Sequence, residues 1–585
     1  MTDWARLLLH MTRRSFRAGR RQAVLLCVLT VGHAGVIAAI GLSQRELVDD
    51  SAAGDTRGVV AAIALGALAY TVSAVAARIG NNLRAFLAGR VRGAQNEEVQ
   101  RLVSSIPTIN HLEYAPHIDR WNRIFDSSHA LAAMPWSALE SLVTVLGLVV
   151  TVGLLASVSP WLCLLAALGV PLYLANRRAD RLLRDARDAG TEPLRREQRL
   201  HEACVEPEPA KEILVSGGGA DLSRRAAGFW DEAADRETRA RLRGAAWQGA
   251  AWTLYAVAFA GALTLVADLI RAGEASVGTA VLVVSLATQL QSQLRTVLES
   301  LAASAEAGQV VSHYWWLRRY AAAARRSGAA APVTLSAGIE VTGVSFRYPG
   351  GDHDVLRDVT LRLPAGSVVA VVGANGAGKS TLVKLLTGLY EPTTGRITVD
   401  GAPLSDVDPD AWRARLSGVF QDFARLRLLV RETVGIGNVR FVRDRAAVRS
   451  AVERAGAPTE LGLETQLGAA FGGVEPSLGQ WQRLALARSL MRGAPLCLVL
   501  DEPTAALDPL AERELFDHFV SQVRGATARG AVTVLVAHRF TTVRMADHIV
   551  VLDGGRVTEQ GGHDDLMAAG GAYADLYRLQ ERAYR

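Results

Sequence analysis

Ser367-Val368-Val369-Ala370-Val371-Val372, followed by Gly373-Ala374-Asn375-Gly376-Ala377-Gly378-Lys379-Ser380-Thr381, is the stretch from which the rest of the chain is read. Its first part is a short β-branched run, the pattern of a strand buried on both faces, and Leu382 to Leu389 after it reads as helix. A glycine-rich turn between strand and helix is the context that a phosphate-binding loop requires. Glycine lets backbone N–H groups turn toward phosphate oxygens, and the following helix presents its positive end. In this reading Gly373, Asn375, Gly376, Ala377, Gly378 and Thr381 cradle a nucleotide, Lys379 reaches its terminal phosphates, and Ser380 ligates magnesium.

Further along, a second apolar strand, Leu496 to Leu500, delivers Asp501 and Glu502 at its end, where doubly wound sheets collect their ligands. Asp501 suits the metal and Glu502 suits a general base for water. On its own such a pair is most often a solvated turn, but a phosphate loop upstream reverses those odds. The surrounding pattern, short β-branched runs broken by Gly, Pro and Asp and then alternating strands and helices, predicts an α/β domain over 338–585. An alanine-rich linker covers 321–337.

Upstream the chain is written for a different solvent. Six segments approach the ~20 apolar residues a bilayer-spanning helix needs. They run near Gln22 to Ser43, Val59 to Ala77, Leu142 to Val158, Trp161 to Ala175, Ala245 to Ile270 and Val277 to Leu294. No charged residue sits at the middle of any of them, so no intramembrane ion pair is expected. The first is too long for a secretory signal and lacks a small-residue cleavage site. The N-terminal tail and the loops Arg78 to Pro135 and Asn176 to Gly244 are arginine-rich, which predicts that both termini are cytoplasmic. Both loops are patterned as helices that continue out of the membrane and reverse at His111 to Arg123, with Pro116, and around Pro207 to Glu212, positions suited to docking on a soluble domain.

Composition agrees with two units rather than one. The 585 residues exceed a single common domain, and a net charge of +6 is modest at this length. Six arginines crowd the first 21 residues, but they abut an apolar span, so they read as a membrane flank and no nucleic-acid partner is expected. Four scattered cysteines show neither disulfide nor metal spacing. Only Lys211, Lys379 and Lys384 are lysines among 64 basic residues, so chemistry is expected where lysine survives.

Taken in order, these motifs resemble those of the ATP-binding-cassette (ABC) superfamily, in its exporter branch of half-transporters. The resemblance implies a multidomain fold, an all-α six-helix transmembrane domain over 1–320 followed by the α/β P-loop NTPase domain, binding ATP and Mg2+. Tyr348 in Phe346-Arg347-Tyr348-Pro349 matches the family's adenine-stacking aromatic. Gln421 in Val419-Phe420-Gln421-Asp422 matches the glutamine that senses the metal and the attacking water. Asp508 in Ala506-Leu507-Asp508 matches the loop crossing the dimer interface, and His538, after the strand Val532 to Val536, matches the histidine on the γ-phosphate. The family's Leu-Ser-Gly-Gly-Gln signature stands here as Pro476-Ser477-Leu478-Gly479-Gln480, with Ser477, Gly479 and Gln480 kept. It covers the nucleotide of the opposite subunit, so the resemblance implies a second half-transporter chain, a homodimer in preference to a heterodimer.

Ala210-Lys211-Glu212-Ile213 resembles a coupling helix. The function implied is ATP-driven export of an apolar or amphipathic small molecule or peptide by alternating access in a lipid bilayer. Two other readings stay open: an importer on the exporter fold, of siderophore type, and a membrane-anchored regulatory ATPase.

Overall fold

The computed structural model describes residues 3–458, 460–501, 523–536 and 543–583. The chain divides into two compact units, one formed by Met1–Val99 with Arg123–Trp315 and the other by Gln100–Asn122 with Trp316–Arg585.

The first unit is helical. It holds α1 (Asp3–Ala18), α2 (Arg20–Ala53), α3 (Thr56–Ser104, to Val99) and, past the short α4 (Asn110–Glu113) and α5 (Ala115–Asp126), α6 (Ser128–Val158). Then come α7 (Leu164–Ala167), α8 (Gly169–Val205), α9 (Pro207–Ser216), α10 (Gly219–Arg271) and α11 (Val277–Ala324, to Trp315). Six of these, α2, α3, α6, α8, α10 and α11, are 31 to 53 residues long. Among the described residues α3, α6, α10 and the first part of α11 carry windows apolar enough to cross a membrane. In α3, α6 and α10 only 17%, 22% and 17% of that window is buried by protein. Apolar surface of that extent left uncovered is stable against lipid and costly in water.

The fourth predicted span is not one straight helix. A 3-10 turn (Pro160–Cys163) and α7 precede α8, and the break falls at Leu168 because Pro171 has no N–H to donate to the Ala167 carbonyl. Bonds from Leu168 N to Leu164 O and from Leu172 N to Leu168 O continue on either side, so the break is a kink. Beyond it α8 and α10 pack through small residues: a Cβ on Gly244 would lie 2.9 Å from the Ala179 Cβ, and one on Gly190 would lie 3.6 Å from the Ala233 Cβ. Leu155, Leu172, Tyr255, Val266, Leu282 and Leu286 fill the core between α6, α8, α10 and α11.

The second unit is α/β. Its antiparallel sheet has the order β2-β1-β4-β5, from β1 (Gly338–Phe346), β2 (Leu356–Pro364), β4 (Thr394–Val399) and β5 (Ala402–Pro403). Its six-stranded sheet, largely parallel, has the order β10-β9-β3-β8-β7-β6. The strands are β3 (Val368–Val372), β6 (Leu416–Val419), β7 (Cys497–Asp501), β8 (Val532–Val536), β9 (His548–Asp553) and β10 (Arg556–Gly561). All residues of β3, β7 and β8 are buried, as nearly continuous apolar strands of a parallel sheet require. Val369 and Val371 enter one core while Val368, Ala370 and Val372 enter the other, the alternation of a pleated strand. Among the described residues after its first strand this unit has the α-helices α12 (Lys379–Leu386), α13 (Pro409–Arg413), α14 (Val430–Gly435), α15 (Arg445–Arg454), α16 (Leu478–Leu490), α17 (His563–Ala569) and α18 (Ala572–Ala583).

Candidate active site

The phosphate loop joins the C-terminal end of β3, central in its sheet, to the first turn of α12. Two glycines have no substitute. At Gly373 (φ +156°) a Cβ would sit 2.1 Å from the Leu552 carbonyl oxygen, and at Gly378 (φ +100°) one would sit 2.6 Å from a Leu356 methyl. Ala374, Asn375, Gly376 and Ser380 are exposed, whereas Ala377, Gly378 and Thr381 are buried against the sheet. Lys379 is 6% exposed, and its Nζ donates to the carbonyls of Gly373 and Ala374 at 2.9 and 3.0 Å. A nearly buried ammonium beside an exposed glycine-rich turn at a helix N-terminus fits the phosphates of a nucleotide.

Asp501 ends β7 and is 4% exposed. It is in register with Val536 of β8, which is in register with Val371 of β3. One strand therefore separates Asp501 from the base of the loop, roughly 10 Å at ordinary strand spacing. Gln421 is exposed just beyond β6. Glu502, Asp508 and His538 lie outside the described residues.

Tyr348 is half-buried beside the loop. Its hydroxyl lies 3.0 Å from Thr381 Oγ1, and its ring meets Phe346 and Tyr390 edge-on at 4.9 and 5.4 Å. Lys384 Nζ lies 5.5 Å from the ring centroid.

The signature segment starts α16. Ser477 is its N-cap: Gln480 N donates to Ser477 Oγ and Ser477 N donates to Gln480 Oε1, a reciprocal capping box. Gly479 is in the first turn, and Leu478, the departure from pattern, is 44% exposed.

Sequence reasoning singled out Lys384 for its rarity but missed its partner. Glu113 Oε1 accepts from Lys384 Nζ at 2.8 Å, and Glu113 Oε2 accepts from the Tyr390 hydroxyl at 2.5 Å. Ile109 N donates to the Leu389 carbonyl at 3.1 Å, and an Arg413 N–H donates to the Pro107 carbonyl at 2.8 Å. The segment from Pro107 to Glu113 is thus tied to α12, the helix that begins at the phosphate loop. Burial pushes the Lys384 pKa down, but the hydrogen bond to Glu113 and the charge interactions with Tyr348, Glu113 and Asp422 outweigh it and the net shift is up. Tyr390 is raised by burial and then by Glu113.

A double-mutant cycle of Glu113→Gln and Lys384→Met is expected to show coupling of about 1 kcal/mol, because the pair is partly exposed and screened. Faster amide exchange at Ile109 in either variant is the accompanying sign, and additive effects would contradict the link.

Next to this contact His117 lies 5.0 Å from Trp316, 5.2 Å from Tyr320 and 4.9 Å from Tyr114. Burial first, then the charges of Arg120 and His111, hold its pKa below the usual 6.5. A histidine depressed in the fold stabilises fully above that unfolded value, and the contribution is lost as pH falls through it. The thermal midpoint of the wild type should therefore drop relative to His117→Phe between pH 7.5 and 5.5, and a constant difference would refute the assignment.

The comparisons with known proteins agree with this geometry. Residues 356–505 match the ABC transporter family model. Over 455 residues the chain is 34% identical to the mycobactin import ATP-binding/permease protein IrtB of Mycolicibacterium smegmatis, covering 73% of each protein. It is 38% identical over 259 residues to the ATP-dependent lipid A-core flippase of Burkholderia orbicola, 43% of this chain and 42% of that one. In matches of the latter kind the chain spans about half the length of the curated relative. The structure of a bacterial Atm1-family ABC exporter with ATP bound has a TM-score of 0.72 at 23% identity, over 96% of this chain and 98% of that one, a likeness of fold. A helical membrane unit joined to a phosphate-loop α/β unit defines a nucleotide-binding membrane protein. The chain belongs to the ABC transporter family.

Proposed function

We propose that this chain is one half of an ATP-driven exporter of the inner membrane, working as a dimer with both termini cytoplasmic. The observation that carries the reading is the presence in one chain of lipid-facing helices and a phosphate loop whose helix is tied to the 107–113 segment. Lys379 and the loop amides, with Gly373, Asn375, Gly376, Ala377, Gly378 and Thr381, would hold the phosphates of ATP. Tyr348 would stack on its base. Ser380, Asp501 and Gln421 would hold Mg2+, which supplies charge neutralisation at the phosphates. Glu502 would take the proton of the attacking water, and His538 would meet the γ-phosphate.

Dimerisation has two supports. Leu214 and Val215 at the tip of α9 are 80% and 91% exposed, and Leu478 is exposed beside the Ser477–Gln480 cap. Apolar side chains so placed call for a covering partner. Ser477, Gly479 and Gln480, with Asp508, would close on the partner's nucleotide. ATP favours the closed pair by its differential affinity for it, and the resulting motion at Glu113 would turn the membrane cavity outward.

The relatives point in both directions, one named as a flippase and one for import; the likeness of fold to an exporter supports export as the direction proposed. The purified chain alone in lipid should show ATPase activity raised by amphipathic compounds. Activity that appears only on adding a second, different chain would replace the homodimer with a heterodimer, and ATP binding with no turnover under any condition would favour the regulatory reading.

A further inference from the structure

The membrane unit contains a partly open polar cavity that the predicted spans did not anticipate. A cavity of about 320 Å³ opens between α2, α3, α6 and α11, walled by Asn81, Arg84, Glu140, Gln289, Gln293 and Thr296 together with small and apolar residues. Its volume is at the lower end for small-molecule sites, enough for a head group and not for a large cargo.

Arg84 of α3 and Glu140 of α6 pair across it, each about one third exposed, and Arg84 Nε has no hydrogen-bond partner among the described residues. Gln293 of α11 is 3% exposed, and neither its amide oxygen nor its amide nitrogen has a partner among the described residues. Gly147 leaves the space that this amide occupies, since a Cβ there would be 3.1 Å from Gln293 Nε2. Charges and unsatisfied amides are costly beside lipid-facing helices, and they persist where they meet a ligand.

We infer that this cavity is the cargo's head-group site and is built for a zwitterionic, amide-bearing group, the chemistry of the free ends and backbone of a short peptide. The inference rests on the transporter reading for its purpose but not for its test. A carboxylate pairs with the Arg84 guanidinium, an ammonium with Glu140, and an amide takes up the two ends of Gln293, while the apolar part of the cargo stays along the lipid-facing helices. A ligand with one sign of charge, or none, satisfies only part of the set and breaks the resident ion pair without replacing it.

The test is equilibrium binding, without nucleotide, of a fluorescent hydrophobic tripeptide to the full chain in lipid nanodiscs. Four forms of the probe are compared: both ends free, N-acetylated, C-amidated, and both ends blocked. The free form should bind at least tenfold more tightly than any other. Glu140→Gln should erase the penalty for acetylation, and Arg84→Gln that for amidation. If either single variant fails to fold, Arg84→Gln with Glu140→Gln leaves no lone charge, and all four forms should then bind alike.

Gln293→Leu should weaken the free peptide about tenfold while raising the thermal midpoint, because it removes unsatisfied buried atoms. A merely structural glutamine would lower the midpoint and leave affinity alone. Equal affinity for free and blocked peptides overturns the site, even if other compounds stimulate ATPase. The predicted pattern without any ATPase upholds the site while removing the export reading.

Discussion

Glu502→Gln is expected to lower ATP turnover by about two to four orders of magnitude while ATP still binds, the range a positioned general base supplies. The side chain is changed by one atom, so the phosphate loop, Lys379 and Asp501 keep their places and only the acceptance of a proton is lost. Asp501 closes a wholly buried strand in register, through Val536, with the strand that feeds the loop. The next residue of the chain is Glu502. ATPase within a factor of two of wild type would remove Glu502 from the mechanism.

Lys379→Ala acts at the opposite step and should weaken ATP binding by about 10- to 100-fold, the value of a charge-assisted contact to phosphate. Nζ already donates to the Gly373 and Ala374 carbonyls, so its loss also releases the loop from its closed shape. The two variants together separate the roles: the glutamine variant binds ATP and stalls, and the alanine variant binds ATP more weakly. Unchanged nucleotide affinity in Lys379→Ala would mean that the loop amides carry the phosphates without it.

What was legible in the sequence is what local patterns determine. The strand before the loop and the helix after it come from neighbouring residues, and the helix begins three residues before the expected Leu382 because Gly378 is its N-cap. A helical membrane unit followed by an α/β unit was equally legible, because long apolar runs and short β-branched runs are local patterns. The kink at Leu168 was also written in the chain, at Pro171, but a hydropathy window averages over it.

Pairings of distant residues were not legible. Glu113 and Lys384 are 271 residues apart, and Arg84 and Glu140 are 56 apart. By sequence pattern Arg84 falls in the loop Arg78 to Pro135, and Glu140 falls between that loop and the span Leu142 to Val158. In the structure α3 and α6 are long helices that carry these side chains to one cavity wall, where no single stretch of sequence announces them.

The most direct test of ATP-driven export is flux of a fluorescent hydrophobic peptide in inside-out membrane vesicles containing the chain, with the Glu502→Gln variant as the control. The account predicts ATP-dependent accumulation inside the vesicles that the variant abolishes. Accumulation only in right-side-out vesicles with ATP enclosed would mean import, and active hydrolysis with no flux in either orientation would contradict transport of such a cargo.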